Sequence, residues 1–265
     1  MNQLCIKSIL GAIAWTGVFS TTAHAISFTT TYEAALTGVD EAKGDIWLKS
    51  VEYDGETFSD FVFVNQATVV SNDIWIGGSD TGGASADKGD LATVGISEEN
   101  LTNEQVVEAL GDPYLSSILD VEEAGQFAID LFFTEAADHV LLWERGGNSR
   151  VDVQAVDLEG NLVGDLLSLN SADWDFAGYS LDTLEINQAQ AVSSLGISLA
   201  EFGTTETAIA GIRLISLGED YNGPDLKVIG IAADDPQSVP EPTVLLGLGL
   251  VAGLLMMGNR SGVQR

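Results

Sequence analysis

The stretch 138–156, DHVLLWERGGNSRVDVQAV, carries the pattern that decides the fold class. Apolar and polar residues alternate over 151–155, as expected for a strand that turns one face to a core and the other to water. The preceding part, 138–144, is apolar on both faces, which predicts a central strand whose second face is covered, for example by a loop. The glycines and asparagine of 146–149 predict a hairpin between the two, at the centre of a β-sandwich.

Short runs of β-branched and aromatic residues, separated by glycine-containing turns, recur along the chain. The predicted strands are Phe28–Tyr32, Asp45–Tyr53, Phe58–Val64, Asp73–Ile76, Phe127–Phe133, His139–Glu144, Arg150–Val156, Leu162–Leu169, Thr207–Leu217 and Leu226–Ile231. One helix is predicted, with Thr102 as its cap, Gln105 reaching back and Gly111 ending it. A second helical turn is predicted near Gln188–Ser194. The fold class is therefore all-β, an antiparallel β-sandwich of jelly-roll type with one or two short helices.

The N-terminal segment, 1–25, has the pattern of a secretory signal peptide. A lysine near its start precedes an apolar stretch, and Ala23 and Ala25 form the small-residue cleavage site. Cleavage there makes Ile26 the mature N-terminus. The single cysteine of the chain, Cys5, leaves with the segment, so the exported body is predicted to have no disulfide and no thiolate metal ligand.

The C-terminal segment, 236–265, reads as a three-part tail. Pro240, Glu241 and Pro242 keep the chain extended and accessible to a processing enzyme. The uncharged apolar run 243–257 is predicted to form a short transmembrane helix, with the arginines beyond it on the cytoplasmic side. The predicted organisation is a signal peptide at 1–25, a β-sandwich domain at 26–235 and a sorting tail at 236–265.

With this tail the chain resembles the PEP-CTERM proteins of Gram-negative bacteria, which an exosortase recognises and processes. The resemblance implies export, transient insertion of the tail helix in the inner membrane, and release to the cell surface or the extracellular space. The body is also similar to a mainly cyanobacterial group of such proteins, through AKGDIWL at 42–48, WERGGNS at 143–149 and YNGPD at 221–225. That group has no assigned activity, so the resemblance implies a location and no mechanism.

The composition is strongly acidic, with 40 aspartates and glutamates against 10 lysines and arginines and a net charge of −30. Such a charge argues against nucleic acid and anionic membrane surfaces as partners. It fits solubility outside the cell, and it fits divalent cations as counter-ions.

Catalytic chemistry has little support in the sequence. Beyond the signal peptide the chain has one histidine, His139, in an apolar strand where a core histidine is the better interpretation. The chain contains no Gly-x-Ser-x-Gly nucleophile turn and no phosphate-binding loop. Pairs of carboxylates mean little in so acidic a chain. We therefore expect that the protein is not an enzyme.

Calcium is the cofactor that the composition favours, because this ion takes oxygen ligands. Four aspartates lie in or beside the glycine-rich loop 77–89, and a second candidate pair joins the first and last predicted strands. The candidates are Asp73, Asp80, Asp87 and Asp90 for the loop, and Glu33 with Asp225 for the pair. Their spacing matches no calcium-loop template, and a solvated acidic loop is the alternative.

The best candidate for a ligand site is the stretch 143–148. Glu144 and Arg145 offer opposite charges, and Asn148 both donates and accepts, a set suited to sugar hydroxyls. An exposed Trp143 would add a stacking surface for a sugar ring. The alternatives are a structural Glu144–Arg145 ion pair that closes the hairpin, and a tryptophan that belongs to the core.

Two functions remain at this point. The first is an exported, non-catalytic surface or matrix protein with a structural or adhesive role. The second is a carbohydrate-binding module-like domain that recognises exopolysaccharide through 144–148 and is stabilised by calcium. A groove lined by exposed tryptophan beside Arg145 would favour the second function, and an acidic surface with buried tryptophans would favour the first.

Overall fold

The computed structural model describes residues 26–53, 55–77 and 81–233 of the chain. Within these ranges no helix is both long enough and apolar enough to cross a membrane. Several predicted residues lie outside the described ranges: the cleavage-site residues Ala23 and Ala25, the calcium candidate Asp80, and the motif residues Pro240, Glu241 and Pro242.

The described part of the chain is mostly β-strand, and its strand pairs are antiparallel. The strands are β1 (Thr29–Ala34), β2 (Ile46–Tyr53), β3 (Glu56–Phe58), β4 (Phe61–Val62), β5 (Val64–Asn72), β6 (Ala84–Lys88), β7 (Ser117–Val121), β8 (Gln126–Arg145), β9 (Val151–Val156), β10 (Leu162–Leu169), β11 (Asp175–Leu181), β12 (Gln190–Ser198), β13 (Ile209–Leu217) and β14 (Leu226–Ala232). The helix α1 spans Asn103–Leu110, and short 3₁₀ turns span Gly38–Lys43, Ser171–Asp173 and Glu219–Tyr221. The prediction of an all-β, sandwich-like protein is confirmed.

Individual strand predictions vary in accuracy. Most predicted strands overlap an observed one, but Asp73–Ile76 is not a strand. The sequence pattern missed β6, β7, β11 and β12, and the predicted strand Phe58–Val64 reaches β5 only at Val64. It also predicted two separate strands, Phe127–Phe133 and His139–Glu144, where the structure has the single 20-residue strand β8.

Strand β8 organises the fold because its two halves belong to different layers. Its first half pairs with β13 on one side and β5 on the other. Its second half pairs with β12 and β14. The first layer therefore has the order β10-β9-β13-β8-β5, and the second has the order β11-β12-β8-β14-β7-β6, with β4 also on β14.

The register shows that β8 bends between its halves. Ala128 and Asp152 both lie opposite Ile215, so they are about 10 Å apart. A straight strand from Ala128 to Arg145 would be about 57 Å long, whereas the chain from Arg145 to Asp152 reaches at most about 25 Å. The bend lies at 133–136, where the pairing of β8 with β13 shifts register.

Two apolar cores result from this arrangement. Ile129 and Leu131 of the first layer belong to the same buried cluster as Val140 and Leu142 of the second. The opposite face of the second layer, which includes Trp143, packs against a separate sheet formed by β1, β2 and β3. The second face of 138–144 is therefore covered by a third sheet and not by a loop.

The predicted hairpin between β8 and β9 is wrong. Strand β13 lies between these two strands and pairs with both. The physical reason is the bend: β8 ends in the second layer, whereas β9 begins in the first. The segment 146–150 therefore connects two layers.

Helix α1 begins as the sequence predicts. The Thr102 Oγ1 accepts a hydrogen bond from the Gln105 N–H at 3.3 Å, and the Gln105 Oε1 accepts from the Thr102 N–H at 2.9 Å. At the other end the buried Lys227 of β14 donates to the Ala109 carbonyl at 3.1 Å, which ties the helix to the second layer. The predicted helical turn near Gln188–Ser194 is wrong, because this stretch pairs as β12 with β8 and β11.

Candidate functional site

Arg145, the last residue of β8, lies at the centre of a buried group of carboxylates. It is 3% exposed. Its Nε and Nη2 donate to the Asp225 Oδ2 at 3.0 and 2.8 Å, and Nη2 also donates to the Asp120 Oδ2 at 3.1 Å. Its Nη1 donates to the Thr183 Oγ1 and lies 3.6 Å from the Asp87 Oδ2. Every nitrogen of the guanidinium therefore has a partner inside the protein.

Strand pairing brings these acids together. Asp225 immediately precedes β14, and its backbone oxygen accepts from the Arg145 N–H at 3.0 Å. Its Oδ1 accepts from the Val121 N–H of β7 at 3.2 Å, which holds the neighbouring Asp120 beside it. Asp87 comes from β6, which pairs with β7.

Glu185, in the loop after β11, completes the group on the solvent side. Its N–H donates to the Asp87 Oδ2 at 3.2 Å, and its side chain is hydrogen-bonded to Asp120. One carboxylate oxygen from each of Asp87, Asp120 and Glu185 lies within 4.8 Å of the other two. We call these three residues, together with Asp225 and Arg145, the Arg145 cluster.

Three carboxyl groups contact one guanidinium in this cluster and a fourth, that of Glu185, is hydrogen-bonded to Asp120, so ionising all four is costly. The hydrogen bond with Asp120, and then burial, raise the pKa of Glu185 to about 9. Burial acts to raise the pKa of Asp120, but the hydrogen bond with Glu185 and the charge of Arg145 outweigh it and lower that pKa. Burial raises the pKa of Asp87. Burial, and then the charge of Asp120, raise the pKa of Asp225 as well. At neutral pH the cluster therefore retains protons, one of them between Glu185 and Asp120, in a position that a metal cation could take.

A pocket of about 150 Å³ opens beside the cluster. Asp120, Glu185 and Arg145 line it, together with the exposed residues Asn148 and Asn222. This volume corresponds to about five water molecules and is below the 300 Å³ or so at which pockets for drug-sized ligands begin. The pocket is therefore better matched to a hydrated cation than to a polysaccharide chain.

Glu144 is also fully buried, but its hydrogen bonds go to the segment that follows β8. Its carboxylate accepts from the Gly147 N–H and, at 2.6 Å, from the Ser149 hydroxyl. Burial raises its pKa from 4.5 to about 7, against the opposing effect of these hydrogen bonds. Because the folded protein then binds more protons than the unfolded chain between these pH values, stability falls as the pH rises through this window.

The structure separates the predicted ligand residues 143–148. Trp143 is 1% exposed, packs edge-on against Phe28 and donates from Nε1 to the Thr30 hydroxyl at 3.0 Å. It belongs to the core and offers no face to a sugar. Of the four predicted residues, Arg145 and Asn148 line the pocket.

The predicted calcium residues have different partners in different places. Asp73 accepts from the Gln126 N–H at 3.1 Å, and Asp90 forms an ion pair with Lys43 at 3.2 Å. Glu33 forms an ion pair with Lys49 of β2 at 3.0 Å, whereas Asp225 is held by Arg145. The two residues of the predicted pair therefore have different partners. Only Asp87 and Asp225 of the described candidates belong to the Arg145 cluster.

The sequence reasoning missed Asp120 and Glu185. The sequence carries a signal for Asp120, because it stands in the apolar run 118–121, Ile-Leu-Asp-Val, where an aspartate that becomes buried needs a partner. Glu185 has no such signal, since it lies in an exposed loop and its role depends on how that loop meets β6 and β7.

Comparison of the chain with protein-family models, with curated proteins and with solved structures found no match. The resemblance of its two ends to exosortase substrates therefore stays a prediction.

Proposed function

We propose that this chain is an exported, non-catalytic surface or extracellular-matrix protein, delivered by a signal peptide and sorted by an exosortase through its tail. Its role is structural or adhesive. The jelly-roll arrangement is part of the same proposal, supported by antiparallel partners that are distant in sequence, such as β5 with β8.

One observation supports the structural role: the two charged side chains of the candidate ligand site are buried and form their bonds within the protein. Arg145 and Glu144 are 3% and 0% exposed, and their polar atoms bond to the protein itself. The fully bonded guanidinium ties β8, β7 and the start of β14 together, which stabilises a domain that has no cysteine for a disulfide. Trp143 and Trp174 are buried as well, as the structural interpretation requires, whereas Trp47 and Trp75 are partly exposed.

The sorting part of the proposal is tested by fractionating a Gram-negative host that exports the full chain and carries an exosortase. We expect the protein at the cell surface or in the medium. Replacing Pro240 and Pro242 by alanine should leave it in the inner membrane. The matched control is Pro236→Ala, which removes a proline of the same linker outside the motif. Equal surface delivery of the double variant and the control would contradict the proposal.

Calcium binding is a second candidate, favoured by the convergence of Asp87, Asp120 and Glu185. Two oxygens that bind one Ca²⁺ at about 2.4 Å are at most about 4.8 Å apart. The observed spacing of the three carboxylates, within 4.8 Å, is compatible with this geometry. An ion there would replace the proton held between Glu185 and Asp120, so binding should release protons and weaken at acid pH.

The calcium candidate is tested by titrating the exported protein with Ca²⁺ and by melting it with Ca²⁺ and with chelator. Saturation at a hundredfold excess over Kd should add about 2.7 kcal/mol of stability. Glu185→Gln should remove this gain, whereas Glu159→Gln, the same change in an exposed turn, should keep it. An unchanged melt with Ca²⁺ present would eliminate the site.

Recognition of exopolysaccharide retains less support. Its stacking residue Trp143 is buried, and the pocket beside Asn148 is small. An exposed amide alone gives little affinity, so an adhesive role would depend on other parts of the surface.

A further inference from the structure

A second cavity, of about 410 Å³, lies at the end of β14 that is remote from the Arg145 cluster. It forms where β8 bends: Glu135 and Asp138 of β8 line it, together with residues 57–60 at the junction of β3 and β4 and with the end of β14. Its volume falls in the range of about 300–1,000 Å³ that small-molecule sites occupy, whereas the pocket beside Arg145 is smaller. We call this space the Glu135 cavity.

The Glu135 cavity is acidic. Asp60, Glu135 and Asp138 line it, and none of the described lysines and arginines does. In the part of the chain that the structure describes, the one basic side chain in contact with these acids is His139, whose Nδ1 lies 2.6 Å from the Asp138 Oδ1. The side chains of Asp60 and Glu135 form no hydrogen bond or ion pair with a described residue. The charge of the cavity therefore favours a positively charged ligand.

The spacing of these acids does not suit a single metal ion. Two oxygens bound to one Ca²⁺ are at most about 4.8 Å apart. Among the described residues, the one group of three acids that meets this limit is Asp87, Asp120 and Glu185 of the Arg145 cluster. The carboxylates of the Glu135 cavity are therefore spread too widely to share one ion, and a larger organic cation suits them better.

The rest of the wall indicates what kind of organic cation fits. Phe58 lines the cavity and is partly exposed, and an aromatic ring attracts an ammonium group and packs against the carbon atoms of a ligand. The exposed hydroxyls of Thr57 and Ser59 can exchange hydrogen bonds with hydroxyls of the ligand. The chain itself continues from the cavity into Asp234 and Asp235, which supply no positive charge.

We propose that the Glu135 cavity binds an amino sugar. The ammonium group of the sugar faces the carboxylates of Asp60 and Glu135, its ring carbons lie against Phe58, and its hydroxyls bond to Thr57 and Ser59. This gives a ligand to the adhesive role and rests on the proposed function for the place where the ligand is met. Binding is measured on the purified protein, so a failure here is distinguishable from a failure of export or sorting.

The ligand class is tested by calorimetric titration of the exported protein at pH 6 and physiological salt. The probes are a trimer of glucosamine, whose amines are charged at this pH, and the same trimer with every amine acetylated. We expect the glucosamine trimer to bind at least about tenfold more tightly, because acetylation removes the charge and one hydrogen bond to a charged group is worth at least that factor. Spermidine, an amine without hydroxyls, should also bind more weakly than the glucosamine trimer.

The position of the site is tested with charge-removing variants. Asp60→Asn and Glu135→Gln should each weaken binding of the glucosamine trimer at least about tenfold. The matched control is Glu159→Gln, which removes one charge from an exposed turn and should leave the affinity unchanged. Circular dichroism checks that all three variants are folded. No binding, equal binding of the acetylated trimer or of spermidine, or an equal loss in Glu159→Gln would each overturn the proposal.

Discussion

Replacing Arg145 by methionine tests whether one buried cation holds the cluster together. Methionine fills much of the same space but leaves Asp87, Asp120 and Asp225 without their shared counter-charge. Breaking a buried ion pair by removing one partner costs about 3–5 kcal/mol. In a domain of this size each kcal/mol lowers Tm by about 2–4 °C, so we expect a fall of about 6–20 °C at pH 8.

The assay is thermal melting of the exported protein and its variant at pH 8 and pH 5. Acid protonates carboxylates that have lost their cation. The difference in Tm between Arg145→Met and the unmodified protein should therefore be smaller at pH 5 than at pH 8. Lys49→Met is the matched control, because it removes a cation from an exposed pair with Glu33 and should cost at most about 1 kcal/mol. A deficit no larger than that of the control, or one equal at both pH values, would refute the reasoning.

Two further variants test local features of the fold. Glu144→Gln removes the group whose pKa of about 7 makes stability fall between pH 4.5 and 7. In urea denaturation across this pH range, the variant should not show this fall of up to about 3 kcal/mol in the free energy of unfolding. A fall that persists in the variant would belong to another group. Gly211→Ala places a Cβ 1.9 Å from the Leu131 carbonyl oxygen, where β13 meets β8. We expect a loss of about 3 kcal/mol by the same method, and a neutral result would contradict this close approach.

The sequence pattern predicts strands well where apolar and polar residues alternate and poorly where they do not. Over 151–155 the alternation marks β9 correctly as a strand, although Asp152, which was predicted to face water, is buried and accepts from the Tyr221 hydroxyl. Over 117–121 and 192–197 every residue is buried, so burial does not alternate along these strands. The bend of β8 depends on which strands pair with each half, and this information comes from contacts distant in the chain.

The sequence indicates the position of the site correctly, but it does not reveal the roles of the residues there. The charged residues Glu144 and Arg145 do mark an unusual place, but they are not paired with each other. Consecutive residues of a strand point to opposite faces, so Glu144 caps the following connection while Arg145 enters the carboxylate cluster. The partners Asp120 and Glu185 come from other strands and loops, which spacing along the chain does not reveal.

Export and tail processing are tested most directly by the mass of the protein recovered from the surface of an exosortase-carrying host. Intact-mass and terminal-peptide analysis should show an N-terminus at Ile26 and a chain that ends before Thr243. A protein that remains inside the cell and still yields peptides from Met1 and from 243–257 would contradict the proposed function.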